Sequence, residues 1–235
     1  MKSTIDEIEK RFDKDVERFS NLDTGQATTL DAAHNLELIT AAIARHYPSG
    51  ISVLDVGCGA GNYSVKLAQK VSDINYTLSD LSKAMLDRAT QRLSGLTKGK
   101  VSAVKGDFRN QSLGECQYDV IIATAVLHHL RDDEDWETSF KKLHSLLKPG
   151  GSIWIFDLVE QNTKSMQQYI YSDLYGAYLT GLKDENYRDD VFAYILKEDT
   201  PRSLIYQLDL MQRVGFSSID VLHKNLCFAS FVGFK

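Results

Sequence analysis

One stretch constrains this chain more than any other: Val53-Leu54-Asp55-Val56-Gly57-Cys58-Gly59-Ala60-Gly61-Asn62. It reads as an apolar strand ending in an acid, then a glycine-rich turn and a helix start. Glycines at alternate positions let the backbone turn sharply and let a ligand approach where a Cβ would collide. The following helix points its unsatisfied N–H groups into the turn. A strand, a glycine turn and a helix in that order outline a nucleotide-cofactor site.

Two details separate the candidate cofactors. The dinucleotide fingerprint G-x-G-x-x-G wants glycine or alanine where this chain has Asn62, and tends to place an apolar residue where Asp55 stands. A carboxylate at the end of a buried strand repels a pyrophosphate and favours a cationic group. S-adenosylmethionine carries an ammonium and a sulfonium and no phosphate. The stretch D-V-G-C-G-A-G at residues 55–61 resembles the first motif of the class I S-adenosylmethionine-dependent methyltransferases. That resemblance implies S-adenosylmethionine as cofactor and S-adenosylhomocysteine as product.

Strands and helices alternate from about residue 50. Ser52–Val56, Ile74–Ser79, Val101–Lys105, Asp119–Ala123 and Ser152–Phe156 read as strands. Asn62 reads as the cap of one helix and Ser82 as the cap of another, whose buried stripe is Met85, Leu86, Ala89 and Leu93. Phe140, Leu143 and Leu147 lie along a helix stopped by Lys148-Pro149-Gly150-Gly151. Strands apolar throughout, with helices between them, imply a doubly wound, mostly parallel sheet covered on both faces. Ser217–Leu222 and Leu226–Phe234 read as a hairpin joined by residues 223–225. The family resemblance extends this to a seven-stranded α/β sheet with an antiparallel C-terminal strand, over residues 47–235. Residues 1–46 read as a helical cap of two helices, the second with Leu36, Ile39 and Ile43 on one stripe. Residues 160–200 read as a helical insertion rich in tyrosine.

Hydrophobic content of 43% and charged content of 25% suit a globular protein with a sizeable core. A formal net charge of −5 with no Lys/Arg-rich run disfavours nucleic acid as a partner. Cys58, Cys116 and Cys227 make no disulfide framework. The start lacks the apolar core of a signal peptide, and no stretch approaches the ~20 apolar residues that span a membrane. A cytoplasmic protein, monomer or homodimer, is the expectation. The six histidines show no H-x-x-x-H or C-x-x-C spacing, so no metal site is expected.

Asp80 follows the glycine turn by about 20 residues, where a carboxylate can accept hydrogen bonds from both ribose hydroxyls. The resemblance implies that Asp55, Gly57, Cys58, Gly59 and Gly61 hold the methionine end. It also implies that Gly106-Asp107-Phe108 meets the adenine, Asp107 at the amino group and Phe108 against the ring. Leu81 and Met85 cover the other adenine face, and the small residues Ala123 and Thr124 allow close approach to the methionine moiety. His128 and His129 follow the fourth strand. One of them can face the pocket and accept a proton from an acceptor hydroxyl or amine.

A small-molecule acceptor fits the acidic balance, with Tyr171 and Tyr175 as candidates for a substrate lid or a packed cap. Gln26, Thr28 and His34, in and after the polar loop 19–29, are candidates for substrate contact. Gly106-Asp107-Phe108-Arg109 and Asn225-Leu226-Cys227-Phe228-Ala229-Ser230 are also similar to wobble-uridine tRNA carboxymethyltransferases. Those enzymes use a carboxylated cofactor and extra cations, for which only Arg109 and Arg202 offer themselves. A cofactor-binding protein without transferase activity, and an NAD-dependent oxidoreductase, are the readings from other classes.

Overall fold

Apolar residues at consecutive strand positions drive the architecture. In the computed structural model, which describes residues 2–21 and 26–235, Val53 and Leu54 of β1 (Ser52–Val56) are both fully buried on opposite sides of one sheet. Ile121 and Ile122, and Ile153 and Trp154, repeat that pattern on the neighbouring strands. Side chains alternate between faces along a strand, so a sheet of this kind must be covered on both sides. One face packs Ile39, Ile43, Leu67 and Leu78, and the other packs Trp136, Phe140 and Leu143.

The sheet has seven strands in the order β3-β2-β1-β4-β5-β7-β6. β2 (Asn75–Asp80), β3 (Val101–Lys105), β4 (Tyr118–Thr124) and β5 (Leu147–Leu158) run parallel to β1, and β7 (Phe228–Phe234) lies antiparallel between β5 and β6 (Ser218–Asn225). The strand order reverses at β1 and β4. Their carboxyl ends therefore open the crevice where ligands of such sheets bind.

The helices follow their local chemistry. α1 (Ile5–Lys14) starts at a capping box in which Thr4 and Glu7 satisfy each other's backbone amides. α2 (Val16–Ser20) follows, then α3 (Ala32–His46) on the sheet face. α4 (Asn62–Ala68) leaves the glycine turn, and α5 (Lys83–Leu93) is capped by the Ser82 hydroxyl and buries the expected Met85, Leu86, Ala89 and Leu93. α6 (Asp133–Leu146) covers the second face. Residues 164–182 form one continuous run, α7, in which the turns Gln167–Tyr175 are π-helical between the α-helical Lys164–Met166 and Gly176–Leu182. α8 (Glu185–Glu198) and α9 (Leu204–Val214) complete the chain. Among the described residues, no helix is long and apolar enough to cross a membrane.

Four local expectations are corrected. Residues 1–46 hold three helices among those described, not two, and residues 22–25 of the polar loop 19–29 lie outside the described residues. Gly61, at φ +78°, precedes α4 without a side-chain cap, so Asn62 is its first helical residue. Its amide is drawn away to the Phe19 carbonyl and the Arg92 guanidinium. Lys148-Pro149-Gly150-Gly151 opens β5, because α6 ends at Leu146 and Leu147 already pairs with Tyr118 of β4. The C-terminal hairpin turns at Leu226-Cys227, where Leu226 takes φ +48°, and residues 223–225 stay in β6.

Candidate active site

Asp55 closes β1 and is 2% exposed, with Oδ2 accepting a 2.6 Å hydrogen bond from the Ser64 hydroxyl. Burial raises its pKa to about 7 against that hydrogen bond, and the charge of Asp80 adds to the rise. Beyond it the chain turns through Gly57 at φ +63°. A Cβ there would lie 2.5 Å from Cγ2 of Val126, on the loop after β4, so only glycine lets the two loops meet. A Cβ at Gly61 would stand 2.9 Å from Cβ of Ala89, which lets α5 pack against the turn.

Asp80 closes β2 one strand away. Its Oδ2 accepts from the Gly59 amide at 2.8 Å and its Oδ1 from the Ser82 amide at 2.8 Å. Burial raises its pKa, against the amides of Ser82, Gly59 and Leu81. Each carboxylate oxygen accepts at more than one site, so both can also take a ligand hydroxyl.

At the end of β3, Asp107 is gripped by Arg109, whose Nε donates to both carboxylate oxygens at 2.9 Å. Burial works to raise the Asp107 pKa, but the Arg109 hydrogen bonds and charge hold it below the usual carboxylate range. Arg109 is also paired with Asp135. It is therefore not a free cation, and neither is Arg202, which pairs with Asp133.

These elements surround one pocket with an empty volume of about 1230 Å³, counting its open mouth. Asp55, Gly57, Cys58, Gly59, Asp80 and Leu81 line it, and so do Met85, Gly106, Asp107, Phe108, Thr124 and Gln26. Gly61 and Ala123 stand behind the lining.

The histidine pair divides. His129 is part of the pocket wall, whereas His128 is turned to Asp157 at the end of β5. Asp157 is 1% exposed, and its Oδ2 also accepts from the Leu127 amide at 2.7 Å and the His128 amide at 3.2 Å. Burial works to lower the His128 pKa, but the charges of Asp157 and Asp199 outweigh it and raise it to about 9. Burial and the charge of His128 lower the His129 pKa, against Asp199.

The substrate candidates divide: Gln26 lines the pocket, and the tyrosines pack as a cap. Tyr175 is 1% exposed, and its hydroxyl donates to the Thr28 carbonyl at 2.8 Å. Tyr178 donates to the Ala27 carbonyl at 2.8 Å, and Tyr171 stacks on Phe192. His34 meets His223 edge-on, and His223 is held by Asp31. Tyr175 and Tyr178 thus back the segment that follows Gln26, and Tyr171, Tyr175, Thr28 and His34 do not line the pocket themselves.

Sequence reasoning missed other lining residues. Ile5, Ile8 and Phe12 line the pocket from α1, and Arg131 from the loop before α6. The spacing of those three apolar residues along one face of α1 was the available signal. α1 is fastened at its start, where Glu198 accepts from the Ser3 hydroxyl at 2.6 Å and from Arg11 at 3.3 Å. Asp199, 70 positions after His129, carried no signal at all: its Oδ1 lies 3.0 Å from His129 Nδ1 and 3.9 Å from His128 Nε2.

Known proteins share this design. Residues 53–151 match a family model described as a methyltransferase domain. The carboxy-S-adenosyl-L-methionine synthase of Campylobacter lari is 26% identical over 97% of this chain and 96% of its own length. The malonyl-[acyl-carrier protein] O-methyltransferase of Priestia megaterium is 32% identical over 58% of this chain, which spans about half (48%) of that protein. A solved structure of the Burkholderia thailandensis 1,6-didemethyltoxoflavin-N1-methyltransferase, with its methyl acceptor and S-adenosylhomocysteine bound, shares the fold. It has a TM-score of 0.62 at 14% identity, over 97% of this chain and 87% of that one. With acids at the ends of β1 and β2 around a glycine turn on this sheet, residues 53–151 form a methyltransferase domain of the S-adenosylmethionine-dependent kind, with S-adenosylmethionine as its cofactor.

Proposed function

We propose that the protein transfers the methyl group of S-adenosylmethionine to a small-molecule acceptor bound beside the cofactor. The observation that carries this reading is a single covered pocket whose wall includes both the cofactor acids and His129. When bound, S-adenosylmethionine supplies a methyl carbon on a sulfonium that is already primed to leave by in-line displacement.

The chain's own residues bind, align and exclude water. Asp55 presents negative charge to the methionine ammonium, and Asp80 accepts from the ribose hydroxyls. Phe108, Leu81 and Met85 supply apolar surface for the adenine beside Asp107. Ile5, Ile8 and Phe12 of α1 close the mouth against solvent. Good alignment of reacting groups is worth ~7–11 kcal/mol, so such positioning accounts for most of what the protein must contribute. Of the histidine pair, His129 acts on the acceptor, and His128, fixed by Asp157, holds the loop in place.

A small acceptor is favoured by the cover that α1 makes and by a net charge of −5 with no basic tract. Incubation with methyl-labelled cofactor and a panel of small hydroxyl, amine and carboxyl acceptors tests this. Labelled product with release of S-adenosylhomocysteine supports the reading. Transfer to bulk tRNA instead would move the assignment to a tRNA modifier. Binding of S-adenosylhomocysteine with no transfer to either would leave a cofactor-binding protein.

The near full-length similarity to a carboxy-S-adenosyl-L-methionine synthase favours a second reading, in which a carboxyl-donating co-substrate gives its carboxyl group to the cofactor's S-methyl carbon, which loses one proton as the new carbon–carbon bond forms. Arg131 lines the pocket, and its guanidinium donates to the carbonyls of Glu198 and Ser3, which leaves charge available for a carboxylate. Mass spectrometry of the cofactor-derived product separates the two readings: S-adenosylhomocysteine for the first, a cofactor heavier by one carboxyl for the second.

A further inference from the structure

We infer that His128, His129 and Asp199 form a binding site for one divalent transition-metal ion of the zinc type, at the wall of the pocket. Metal binding itself is independent of the methyl-transfer reading, whereas the role given to the ion rests on it.

The site is built from three converging lone pairs. One ligand atom from each residue, the other two meeting Asp199 Oδ1, lies within 4.8 Å of the rest. Zinc ligands at ~2.0–2.1 Å in tetrahedral geometry stand about 3.4 Å apart, and the observed 3.0 and 3.9 Å separations bracket that value. Two imidazoles and one carboxylate form a donor set suited to zinc and to other borderline first-row ions.

Two independent observations point to a ligand. Asp199 is 8% exposed, and its Oδ1 receives no hydrogen bond, although His129 Nδ1 lies 3.0 Å away. A buried carboxylate oxygen of this kind is costly unless a cation meets it. His128 is also oriented as metal-binding histidines are, with Nδ1 turned to the buried carboxylate of Asp157. That contact leaves Nε2 as the free nitrogen facing Asp199.

The charge balance agrees. Asp157 and Asp199 bring two negative charges, and the nearby Lys2 ammonium, bonded to the Asp199 carbonyl at 2.8 Å, brings one positive charge. Binding would displace the proton that Asp157 and Asp199 otherwise hold on His128; with both imidazoles then neutral, Asp157, Asp199 and Lys2 together leave a net negative charge toward a dication. A metal held through His129 stands at the pocket wall. Its remaining coordination position would take an acceptor oxygen and favour that oxygen's ionised form as a Lewis acid.

Untagged full-length protein, stripped with chelator and titrated with Zn2+ by calorimetry, tests the site. Cobalt(II) provides a second probe through its visible spectrum. One equivalent of Zn2+ is expected, with Co2+ giving the intense bands of a four- or five-coordinate ion. His129→Gln and Asp199→Asn should each weaken binding at least tenfold, and Asp157→Asn about 10- to 100-fold. S-adenosylhomocysteine binding, measured on the same stripped samples, reports whether each variant is folded and whether the cofactor reading stands by itself. Absence of stoichiometric Zn2+ binding in protein that still binds S-adenosylhomocysteine would overturn the proposal. Metal binding that both His129→Gln and Asp199→Asn leave unchanged would overturn it too. Either result would leave the cluster as a histidine–aspartate ion pair.

Discussion

The Asp80 carboxylate at the end of β2 and the Gly59 amide in the turn after β1 are joined by a 2.8 Å hydrogen bond. This bond fastens the glycine turn to the neighbouring strand, so the carboxylate proposed to receive the ribose also shapes the turn proposed to cradle the methionine end. Removing it should damage two features at once. Asp80→Ala loses a charge-assisted acceptor, worth about 1.5–3 kcal/mol, and strands the Gly59 N–H. S-adenosylhomocysteine affinity by calorimetry should fall roughly 10- to 100-fold or more. Unchanged affinity would remove Asp80 from the site.

Asp55 should make cofactor binding depend on pH near neutrality. Its folded pKa of about 7 stands above the ordinary value of 3.8, so the ligand-free fold takes up a proton more readily than the unfolded chain. The stabilising share of that proton is complete below the ordinary value and is lost as pH rises through about 7. A cationic cofactor favours the ionised form, so the thermal stabilisation given by S-adenosylmethionine should grow between pH 6 and pH 8. Asp55→Asn should flatten that trend, whereas a trend that survives the substitution belongs to another group.

Gly57 and Val126 test the close approach of two loops. Gly57→Ala places a Cβ 2.5 Å from Val126 Cγ2 in a left-handed conformation that alone costs about 1–2 kcal/mol. Melting should fall by at least about 3 °C, with weaker S-adenosylhomocysteine binding. Adding Val126→Ala to Gly57→Ala should recover part of the melting temperature, because it removes the methyl that collides. No recovery would mean that backbone conformation alone sets the cost.

Glu198 anchors the cover over the pocket. Burial pushes its pKa up, but the Ser3 and Lys197 hydrogen bonds and the Arg11 charge outweigh it and hold it at about 2. Its stabilising contribution is therefore present above the ordinary carboxylate range and lost as pH falls from about 4.5 to 2. Glu198→Gln should speed hydrogen exchange in α1 about tenfold and hasten release of S-adenosylhomocysteine. Amides of β1, β4 and β5 should be unaffected. Equal loosening of sheet and α1 would mean that Glu198 supports the whole fold and not the cover.

The meeting of Asp55, the glycine turn and Asp80 at one pocket was legible because their placement is local. Asp55, the glycines and Asp80 sit at strand ends that apolar runs announce, and all line one pocket except Gly61, which packs behind it. Asn62 misled because a cap-forming residue can be recruited elsewhere: its side chain serves Phe19 and Arg92. Lys148-Pro149-Gly150-Gly151 misled because glycine and proline also suit the irregular opening of a strand, as the register shift between Tyr118 and Val120 shows. Asp199 and Glu198 could not be foreseen, since their roles arise only when the end of α8 returns to the histidine loop and to Ser3. No spacing rule covers contacts of that range.

The π-helical turns of α7 divide the labour of the molecule in a way that bears on how its selectivity could be altered. Tyr175 and Tyr178 reach the carbonyls of Thr28 and Ala27 from a helix wound with extra residues per turn. Tyr175→Phe together with Tyr178→Phe would remove both hydroxyls from those carbonyls at once. The segment bearing Gln26 would then lose its backing, while the glycine cradle, built from a separate part of the chain, would keep its shape. Ligand preference should in this way be open to change from α7 while the glycine turn and its acids keep their places.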